Sequence, residues 1–258
     1  MRGLLISVRS GSTRLPQKAL MRIRDKTTIE YLIDRVKESE FAEKIVLCTT
    51  KLPEDDELCE IASNNGIEFF RGSTEDKLER WRDATNEYDI DFFVNVDGDD
   101  IFFDAGLADL CFEQYYSQPA KSLEFIDGRG LYNDVYGIRT SALEKICTFK
   151  NKKDTEFIRP FFLESNIEHQ EIRNVPDKYK KKDIRMTLDY EEDFMFFKTV
   201  IEHFLDSGIE MSFENILSFL EENQEVVDIN WGMEEAWKNN QDEMIERISE
   251  EGENEESE

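Results

Sequence analysis

The sequence predicts an α/β fold of three layers, in which helices cover both faces of a mostly parallel central sheet and a helical extension follows at the C-terminal end. From residue 3 to residue 96, short apolar runs alternate with segments of helical periodicity. Polar motifs follow the first and the fourth of these runs, RSGSTRLPQK and DGDD respectively. Open parallel sheets bind their ligands beyond the carboxyl ends of the strands, so both motifs are candidate parts of a binding site.

The first three predicted elements form a β-α-β unit. Residues 3–8 are an apolar run that enters a polar loop, which is typical of a buried strand. Residues 28–39 predict an amphipathic helix, because their apolar side chains recur at spacings of three and four. The apolar run 44–50 predicts the second strand.

A second helix and a third strand continue the alternation. The segment 53–65 begins with proline and acidic residues, as a helix start does, and Asn65 and Gly66 offer a C-cap. Residues 67–70 predict the strand that follows.

The fourth strand completes a Rossmann-like half. Ser73 and Asp76 predict a capping box that opens a helix over residues 73–88. Residues 91–96 predict a strand that ends at the acidic cluster. Residues 1–120 are therefore expected to form a nucleotide-binding half.

The rest of the chain is expected to complete one domain over residues 1–230. Shorter strands are predicted at 122–126 and 134–138, and a helix is predicted near 155–165. Residues 121–190 are expected to receive an acceptor and to provide a subunit contact. The predicted C-terminal parts are largely helical residues 191–248, including a final helix at 231–248, and a disordered acidic tail at 249–258.

The charge of the chain excludes several function classes. Its 59 acidic and 32 basic residues give a formal net charge of -27. Such a charge repels nucleic acid and anionic membrane surfaces, so neither is an expected partner. An anionic ligand would need a local basic pocket.

The cysteines and the N-terminal segment predict a cytoplasmic protein. Four widely spaced cysteines without a CxxC pair are expected to be reduced structural thiols: Cys48, Cys59, Cys111 and Cys147. The apolar run before Arg9 is too short for a secretory signal, and no later segment predicts a membrane span.

Residues 9–18 concentrate positive charge just past the first predicted strand. Their cations, hydroxyls and flexible glycine are Arg9, Ser10, Gly11, Ser12, Arg14 and Lys18. Small residues let backbone amides approach phosphate oxygens, while arginine and lysine neutralise phosphate charge. The loop is not a Walker A motif, and a basic surface loop with a proline turn is the alternative interpretation.

Two acidic motifs have structural as well as chemical interpretations. The DGDD cluster suits an Asx-rich turn after a strand, and Asp189 suits an N-cap for the helix that begins with EEDF. His169 and His203 are expected to be structural or exposed, so a Ser/His/Asp triad is not supported.

Four motifs occur here in the order that they have in the cytidylyltransferase family, which includes the CMP-sialate and CMP-KDO synthetases. VRSGSTRLPQKAL resembles the family's N-terminal signature, and NVDGDDIFFD is similar to its NVQGDEP motif. IRMTLDYEEDF is similar to RLTVDTPEDL. FRGSTEDKLERW, with Arg71, Gly72, Ser73 and Asp76, resembles the FRGS-x-x-D-x-L-x-R motif of the SpsF-like spore coat polysaccharide branch. The resemblance covers about residues 1–205.

The resemblance implies a nucleotidyltransferase-type fold and an Mg²⁺-dependent transfer of CMP from CTP. The acceptor would be an acidic or phosphorylated sugar-like molecule of surface polysaccharide biosynthesis, and pyrophosphate would leave. Family dimers imply a homodimer. The implied catalytic residues are Arg14, Lys18, Asp99 and Asp189, with Asp99 and Asp189 as the metal ligands. The implied nucleotide-binding residues are Arg9, Ser10, Gly11, Ser12, Arg14, Lys18, Arg71, Ser73 and Asp97.

Several positions depart from the family pattern. Asp97 stands where the family has Gln or Thr, and a carboxylate can accept from the N4 amino group of cytosine but cannot donate to N3. Asp100 and Ile101 replace the pair that contains proline after GD. Asp134 replaces Glu and Phe157 replaces His, so the acceptor is expected to differ.

Two alternatives stay open at this point. The chain could use another nucleoside triphosphate or a sugar 1-phosphate acceptor. It could also be a non-catalytic nucleotide-binding member of a glycan pathway.

Overall fold

A seven-stranded sheet runs through the described part of the chain, which comprises residues 1–118, 122–150, 155, 158–180 and 183–240 of the computed structural model. The strands, including two that form a separate hairpin, are β1 (Arg2–Ser7), β2 (Arg22–Ile23), β3 (Lys26–Thr27), β4 (Lys44–Thr50), β5 (Glu68–Gly72), β6 (Phe92–Asp97), β7 (Phe125–Gly128), β8 (Val135–Arg139) and β9 (His169–Glu171).

The strand order of the large sheet is β5-β4-β1-β6-β8-β7-β9, and β2 pairs with β3 in the separate hairpin. Strands β5, β4, β1 and β6 are parallel to one another, and β8 is antiparallel to both β6 and β7. The predicted, mostly parallel sheet is therefore confirmed, with β8 as the reversed strand. Since β1, β4 and β6 are parallel, the loops after them leave from one edge, which we call the carboxyl edge.

Helices cover both faces of this sheet. They are α1 (Thr28–Val36), α2 (Asp56–Asn64), α3 (Lys77–Glu87), α4 (Ala105–Tyr116), α5 (Thr140–Phe149), α6 (Arg159–Leu163), α7 (Glu191–Ser207), α8 (Phe213–Glu222) and α9 (Gln224–Trp231). Residues 233–240 are also helical, at the end of the described chain.

Two apolar clusters fill the interfaces between the three layers, one on each face of the sheet, because side chains alternate along each strand. In β1, Leu4 and Ile6 pack on the side of α1, α2, α4, α7 and α8. Leu5 points to the opposite side, where Leu78 and Trp81 of α3 pack with α5. The cysteines are free thiols, as predicted, and three of the four are buried.

The N-terminal boundary of α3 differs from the prediction. The helix begins at Lys77 rather than at residue 73, and Asp76 is the N-cap, because its side chain accepts from the Glu79 amide. The Ser73 hydroxyl instead accepts a hydrogen bond from the Asp76 amide, so the predicted Ser73 capping box is wrong.

Two other predictions are met only in part within the described residues. Near 155–165 the helix is the five-residue α6, and residues 156 and 157 lie outside the described chain. The C-terminal helix is described only to residue 240, and the predicted acidic tail lies beyond it. Among the residues that the structure describes, none of the helices combines the length and apolar character needed to cross a membrane.

Candidate active site

The loop of residues 9–18 leaves β1 at the carboxyl edge and is anchored by a buried carboxylate. The Ser10 amide donates to Asp55 Oδ1 at 2.7 Å, and the Thr50 amide donates to Asp55 Oδ2 at 3.1 Å. Asp55 is fully buried. Burial alone would raise the pKa of Asp55, but the hydrogen bonds from Thr50 and Ser10 outweigh it and lower this pKa. Sequence reasoning missed Asp55, because its partner lies 45 positions away.

Several amides of this loop donate hydrogen bonds within the protein. The Ser12 and Gln17 amides both donate to the Ser10 carbonyl, at 2.9 and 3.2 Å. The Lys18 amide donates to the Leu15 carbonyl, and the Lys18 carbonyl accepts from the Thr28 hydroxyl at 2.6 Å. These internal hydrogen bonds help to set the shape of the loop, and phosphate binding by its remaining amides stays a prediction.

Four predicted catalytic residues lie together in one ionic cluster, which we call the Arg14–Lys18 cluster: Arg14, Lys18, Asp99 and Asp189. Lys18 Nζ lies 2.7 Å from Asp99 Oδ2 and 3.0 Å from Asp189 Oδ1. The Arg14 guanidinium donates to the same Asp189 oxygen at 2.6 Å. The cluster joins residues that are up to 175 positions apart in the chain.

Charge balance within the cluster sets the pKa values of its members. Burial disfavours the Lys18 ammonium, but Asp99 and Asp189 outweigh it and raise the pKa of Lys18. Burial alone would raise the pKa of Asp189, but Lys18 and Arg14 outweigh burial and lower this pKa. Burial and the neighbouring carboxylates raise the pKa of Asp99 despite the contact with Lys18. The protein is thus built to keep Lys18 and Asp189 charged.

The donor set at this point suits a hard divalent cation. Oxygens of Asp99 and Asp189 both lie within 3.0 Å of the Lys18 nitrogen, so the two carboxylates already share one cation, the Lys18 ammonium. Carboxylate oxygens are the ligands that Mg²⁺ prefers, and Mg²⁺ usually takes one or two of them together with water and phosphate oxygens. In the described chain, no group of three or more His, Cys, Asp or Glu residues is placed to hold a metal.

Gly98 allows the ends of β1 and β6 to approach each other. Its amide donates to the Ser7 carbonyl at 2.9 Å. A Cβ atom at this position would lie 2.6 Å from Val8 Cβ. Because that distance is too short for any side chain, glycine is required between Asp97 and Asp99.

Asp97 is paired with a lysine that the sequence did not single out. Asp97 Oδ1 lies 2.6 Å from Lys77 Nζ. The same ammonium lies 5.1 Å from the centre of the Trp81 ring. The pair places an acceptor next to a donor at the end of β6.

Arg71 and Ser73 lie outside the Arg14–Lys18 cluster. The Arg71 guanidinium donates to the carbonyls of Thr50 and Leu52, at 2.9 and 2.7 Å, and therefore braces the loop that contains Asp55. Its strand, β5, is three strands away from β6, which corresponds to about 14 Å at the usual strand spacing. The Arg9 side chain donates to the Thr74 carbonyl at 3.4 Å, so the loop after β1 meets the Ser73 loop. Nucleotide binding by these residues stays a prediction.

The alternative role for Asp189, as a helix N-cap, is wrong. Tyr190 is the N-cap of α7, and Asp193 accepts from the amides of Asp189 and Tyr190 at 2.8 and 3.0 Å. The Asp189 carboxylate is thereby free to contact Arg14 and Lys18. Asp193 is also paired with Arg185 at 2.8 Å, and both are buried.

The histidines take no part in the Arg14–Lys18 cluster. His203 stacks on Phe219 with ring centres 4.1 Å apart, as a structural residue does. His169 is exposed on the edge strand β9, as expected.

Comparisons with known sequences point to one family. The cytidylyltransferase family profile matches residues 4–224. An uncharacterized protein of Methanocaldococcus jannaschii is 29% identical over 232 residues, which cover 88% of this chain and 93% of that protein. The spore coat polysaccharide biosynthesis protein SpsF of Bacillus subtilis is 25% identical over 207 residues, which cover 77% and 85% of the two chains.

Solved structures agree with this result. A cytidylyltransferase from Leptospira borgpetersenii superposes with a TM-score of 0.76 at 29% identity, covering 88% of this chain and 96% of that chain. A CMP:2-keto-3-deoxy-manno-octonic acid synthetase in complex with CTP has the same fold, with a TM-score of 0.60 at 13% identity over 78% of this chain and 98% of the other. The predicted Rossmann-like nucleotidyltransferase fold is confirmed. The chain belongs to the cytidylyltransferase family of nucleotidyltransferases.

Proposed function

We propose that this protein transfers CMP from CTP to an acidic or phosphorylated sugar-like acceptor and releases pyrophosphate, with Mg²⁺ as its cofactor. The observation that carries the proposal is the convergence of Arg14 and Lys18 with Asp99 and Asp189 at the carboxyl edge of the sheet. The family match and the SpsF relative support cytidylyl transfer in polysaccharide biosynthesis.

The side chains of the Arg14–Lys18 cluster suit phosphoryl chemistry without a protein nucleophile. An acceptor oxygen attacks the α-phosphorus of the nucleotide, and the bond from that phosphorus to the pyrophosphate oxygen breaks. Arg14 and Lys18 bind the phosphate oxygens and stabilise the charge of the leaving pyrophosphate. Asp99 and Asp189 would hold Mg²⁺, which when bound neutralises phosphate charge and orients the phosphates.

The Asp97–Lys77 pair supports base recognition at the end of β6. Its carboxylate accepts from the N4 amino group of cytosine, and its ammonium, 2.6 Å away, supplies the donor for N3 or O2 that Asp97 lacks. The same pair suits guanine, with the carboxylate accepting from N1–H and N2–H₂ and the ammonium donating to O6. A nucleotidyltransferase that uses GTP is therefore the second candidate.

A partly exposed arginine in the second half of the chain suits an acidic acceptor. Arg159, at the start of α6, has a side chain that is 33% exposed and lies 2.7 Å from the buried Asp127. The neutralised pair leaves guanidinium donors for a carboxylate or a phosphate.

The test is pyrophosphate release from each of the four nucleoside triphosphates, with and without Mg²⁺, in the presence of acidic sugars and sugar phosphates. We expect CTP to be preferred and release to require Mg²⁺. Asp99→Asn and Asp189→Asn should each lower kcat by about 100-fold or more, because charge stabilisation by a metal is worth several kcal/mol. The matched control is Asp206→Asn, a substitution of an exposed aspartate at the C-terminal end of α7, which should leave kcat unchanged.

Two results would overturn the proposal. The metal assignment is wrong if both asparagine variants turn over at the wild-type rate. If no triphosphate supports release and none raises the melting temperature with Mg²⁺, the chain does not bind nucleotide as proposed.

A further inference from the structure

The helical residues 233–240 lie against the Arg14–Lys18 cluster, although the family match ends at residue 224. We propose that this C-terminal helix is a wall of the nucleotide site and that Asn240 is a positioning residue for Arg14. The inference rests on the proposed function, in which Arg14 binds phosphate.

The contact between Asn240 and Arg14 is direct. One terminal nitrogen of Arg14 donates to Asn240 Oδ1 at 2.6 Å, and the other donates to Asp189 Oδ1 at 2.6 Å. The guanidinium also lies 5.9 Å from the centre of the Tyr190 ring. It is thus fixed from two sides and over one face, while the side chain keeps 26% of its surface exposed.

A second contact joins the same helix to Asp189. Arg185 is buried and lies 3.3 Å from Glu234, 3.5 Å from Asp189 and 5.7 Å from the centre of the Trp237 ring. The helix residues Glu234, Trp237 and Asn240 follow each other at a spacing of three, so they share one helix face. That face contacts Arg14 directly and reaches Asp189 through Arg185.

The helix is held in place by buried polar contacts that precede it. Asn230, in α9, donates to the Arg185 carbonyl at 3.2 Å and to Asp193 Oδ1 at 2.9 Å. Asn230 and Asp193 have no exposed surface. These buried hydrogen bonds hold α9, and with it the start of the helix that follows, against Arg185 and Asp193.

The chemistry of Asn240 fits orientation rather than neutralisation. A carboxylate such as Asp189 cancels the charge of Arg14, whereas a carboxamide oxygen accepts a hydrogen bond and leaves the positive charge intact. Arg14 can therefore be aimed by Asn240 and still attract a phosphate. Since Arg14 contacts the nucleotide phosphates before and during the reaction, loss of its orientation affects nucleotide binding more than the chemical step.

The test compares Asn240→Ala with Asn239→Ala, its exposed neighbour on the same helix. Asn240→Ala should raise KM for CTP by about fivefold to tenfold, the usual worth of a single hydrogen bond, with a smaller change in kcat. Asn239→Ala should leave both constants at wild-type values, and Asn240→Gln, which keeps the acceptor oxygen, should restore much of the affinity. Equal KM values for the two alanine variants would overturn the inference.

A double-mutant cycle separates positioning from a purely structural role. In an Arg14→Ala background, Asn240→Ala should cause no further loss of affinity for CTP or inorganic pyrophosphate, measured by calorimetry with Mg²⁺. Independent, additive losses would contradict positioning through Arg14. Binding of pyrophosphate requires no turnover, so this cycle decides the role of Asn240 even if the wild-type protein releases no pyrophosphate and the proposed function fails.

Discussion

Asp55 shows how a single buried carboxylate determines the conformation of the loop that carries Arg14 and Lys18. Its two oxygens accept from the Ser10 amide and from the amide and hydroxyl of Thr50, and the side chain is fully buried. An asparagine would turn an amino group toward one of these donors, which leaves a buried donor without an acceptor. We therefore assign Asp55 a supporting role in the site, although it contacts none of the predicted catalytic side chains in the described contacts.

Asp55→Asn should lower the free energy of unfolding by about 1–3 kcal/mol at pH 7 and raise KM for the nucleotide. The pKa of Asp55 is lowered in the folded state, so its stabilisation is present above the unfolded value of about 3.9 and is lost as pH falls through the folded pKa. The difference between wild type and variant should therefore shrink below about pH 4. Urea unfolding over a pH series measures it.

The matched control for this change is Asp56→Asn at the next position. Asp56 has a side chain that is 58% exposed and pairs with Arg71 at 2.6 Å. Exposed pairs contribute little, so this variant should be destabilised by less than about 1 kcal/mol. Equal effects of the two changes, or a difference that stays constant down to pH 3.5, would contradict the assigned role of Asp55.

At the scale of elements, the N-terminus of α1 serves two separate purposes. Thr27 is its N-cap and forms a capping box with Glu30, which satisfies the free amides at the helix start. Thr28, the next residue, is buried and donates through its hydroxyl to the Lys18 carbonyl at 2.6 Å. Thr27 therefore stabilises the helix, and Thr28 connects the helix to the loop of residues 9–18.

Thr27→Ala and Thr28→Val should each lower the free energy of unfolding by about 1 kcal/mol, the usual cost of a lost cap or hydrogen bond. Only Thr28→Val should also lower kcat/KM, because it releases the backbone of Lys18. Thermal unfolding and steady-state kinetics on both variants check this. A parallel loss of activity in Thr27→Ala would show that helix stability, and not the contact with Lys18, is what matters.

At the scale of the whole molecule, a formal charge of -27 opposes compactness. Like charges on one surface repel each other, and added salt screens that repulsion. The Arg14–Lys18 cluster is a local exception, because its two cations balance its two carboxylates. The absence of nucleic-acid and membrane partners stays a prediction from this charge, and the homodimer stays a prediction that sedimentation can test.

Raising NaCl from about 0.02 to 0.5 M should raise the melting temperature at pH 7, because the Debye length falls well below the molecular diameter. The sequence pI is about 4.5, and near that pH the same salt step should change the melting temperature much less. A fall in melting temperature with salt at pH 7 would mean that attractive surface pairs outweigh the net repulsion.

The sequence alone determined the four parallel strands β1, β4, β5 and β6 and the chemistry of their edge, whereas β9 was not predicted and β7 begins three residues after the predicted strand at 122–126. Strand β4 lies at the predicted residues, and β1, β5 and β6 lie within two residues of theirs, because buried parallel strands appear as continuous apolar runs. The start of α3 was missed since Ser73 and Asp76 both suit a cap, and the choice depends on the contact of Asp76 with Thr155, 79 positions away. The loop cations and the aspartates were found because their motifs are local.

Only the tertiary structure decided which of these groups meet. The contacts of Lys18 with Asp99 and Asp189 depend on β1 and β6 being neighbours and on Gly98 allowing their ends to approach. The support from Asp55, and the contact of Asn240 with Arg14 across 226 positions, follow from strand order and helix packing. Local periodicity specifies helices and strands, whereas the partner of a charged side chain depends on the tertiary fold. A local motif therefore does not identify that partner.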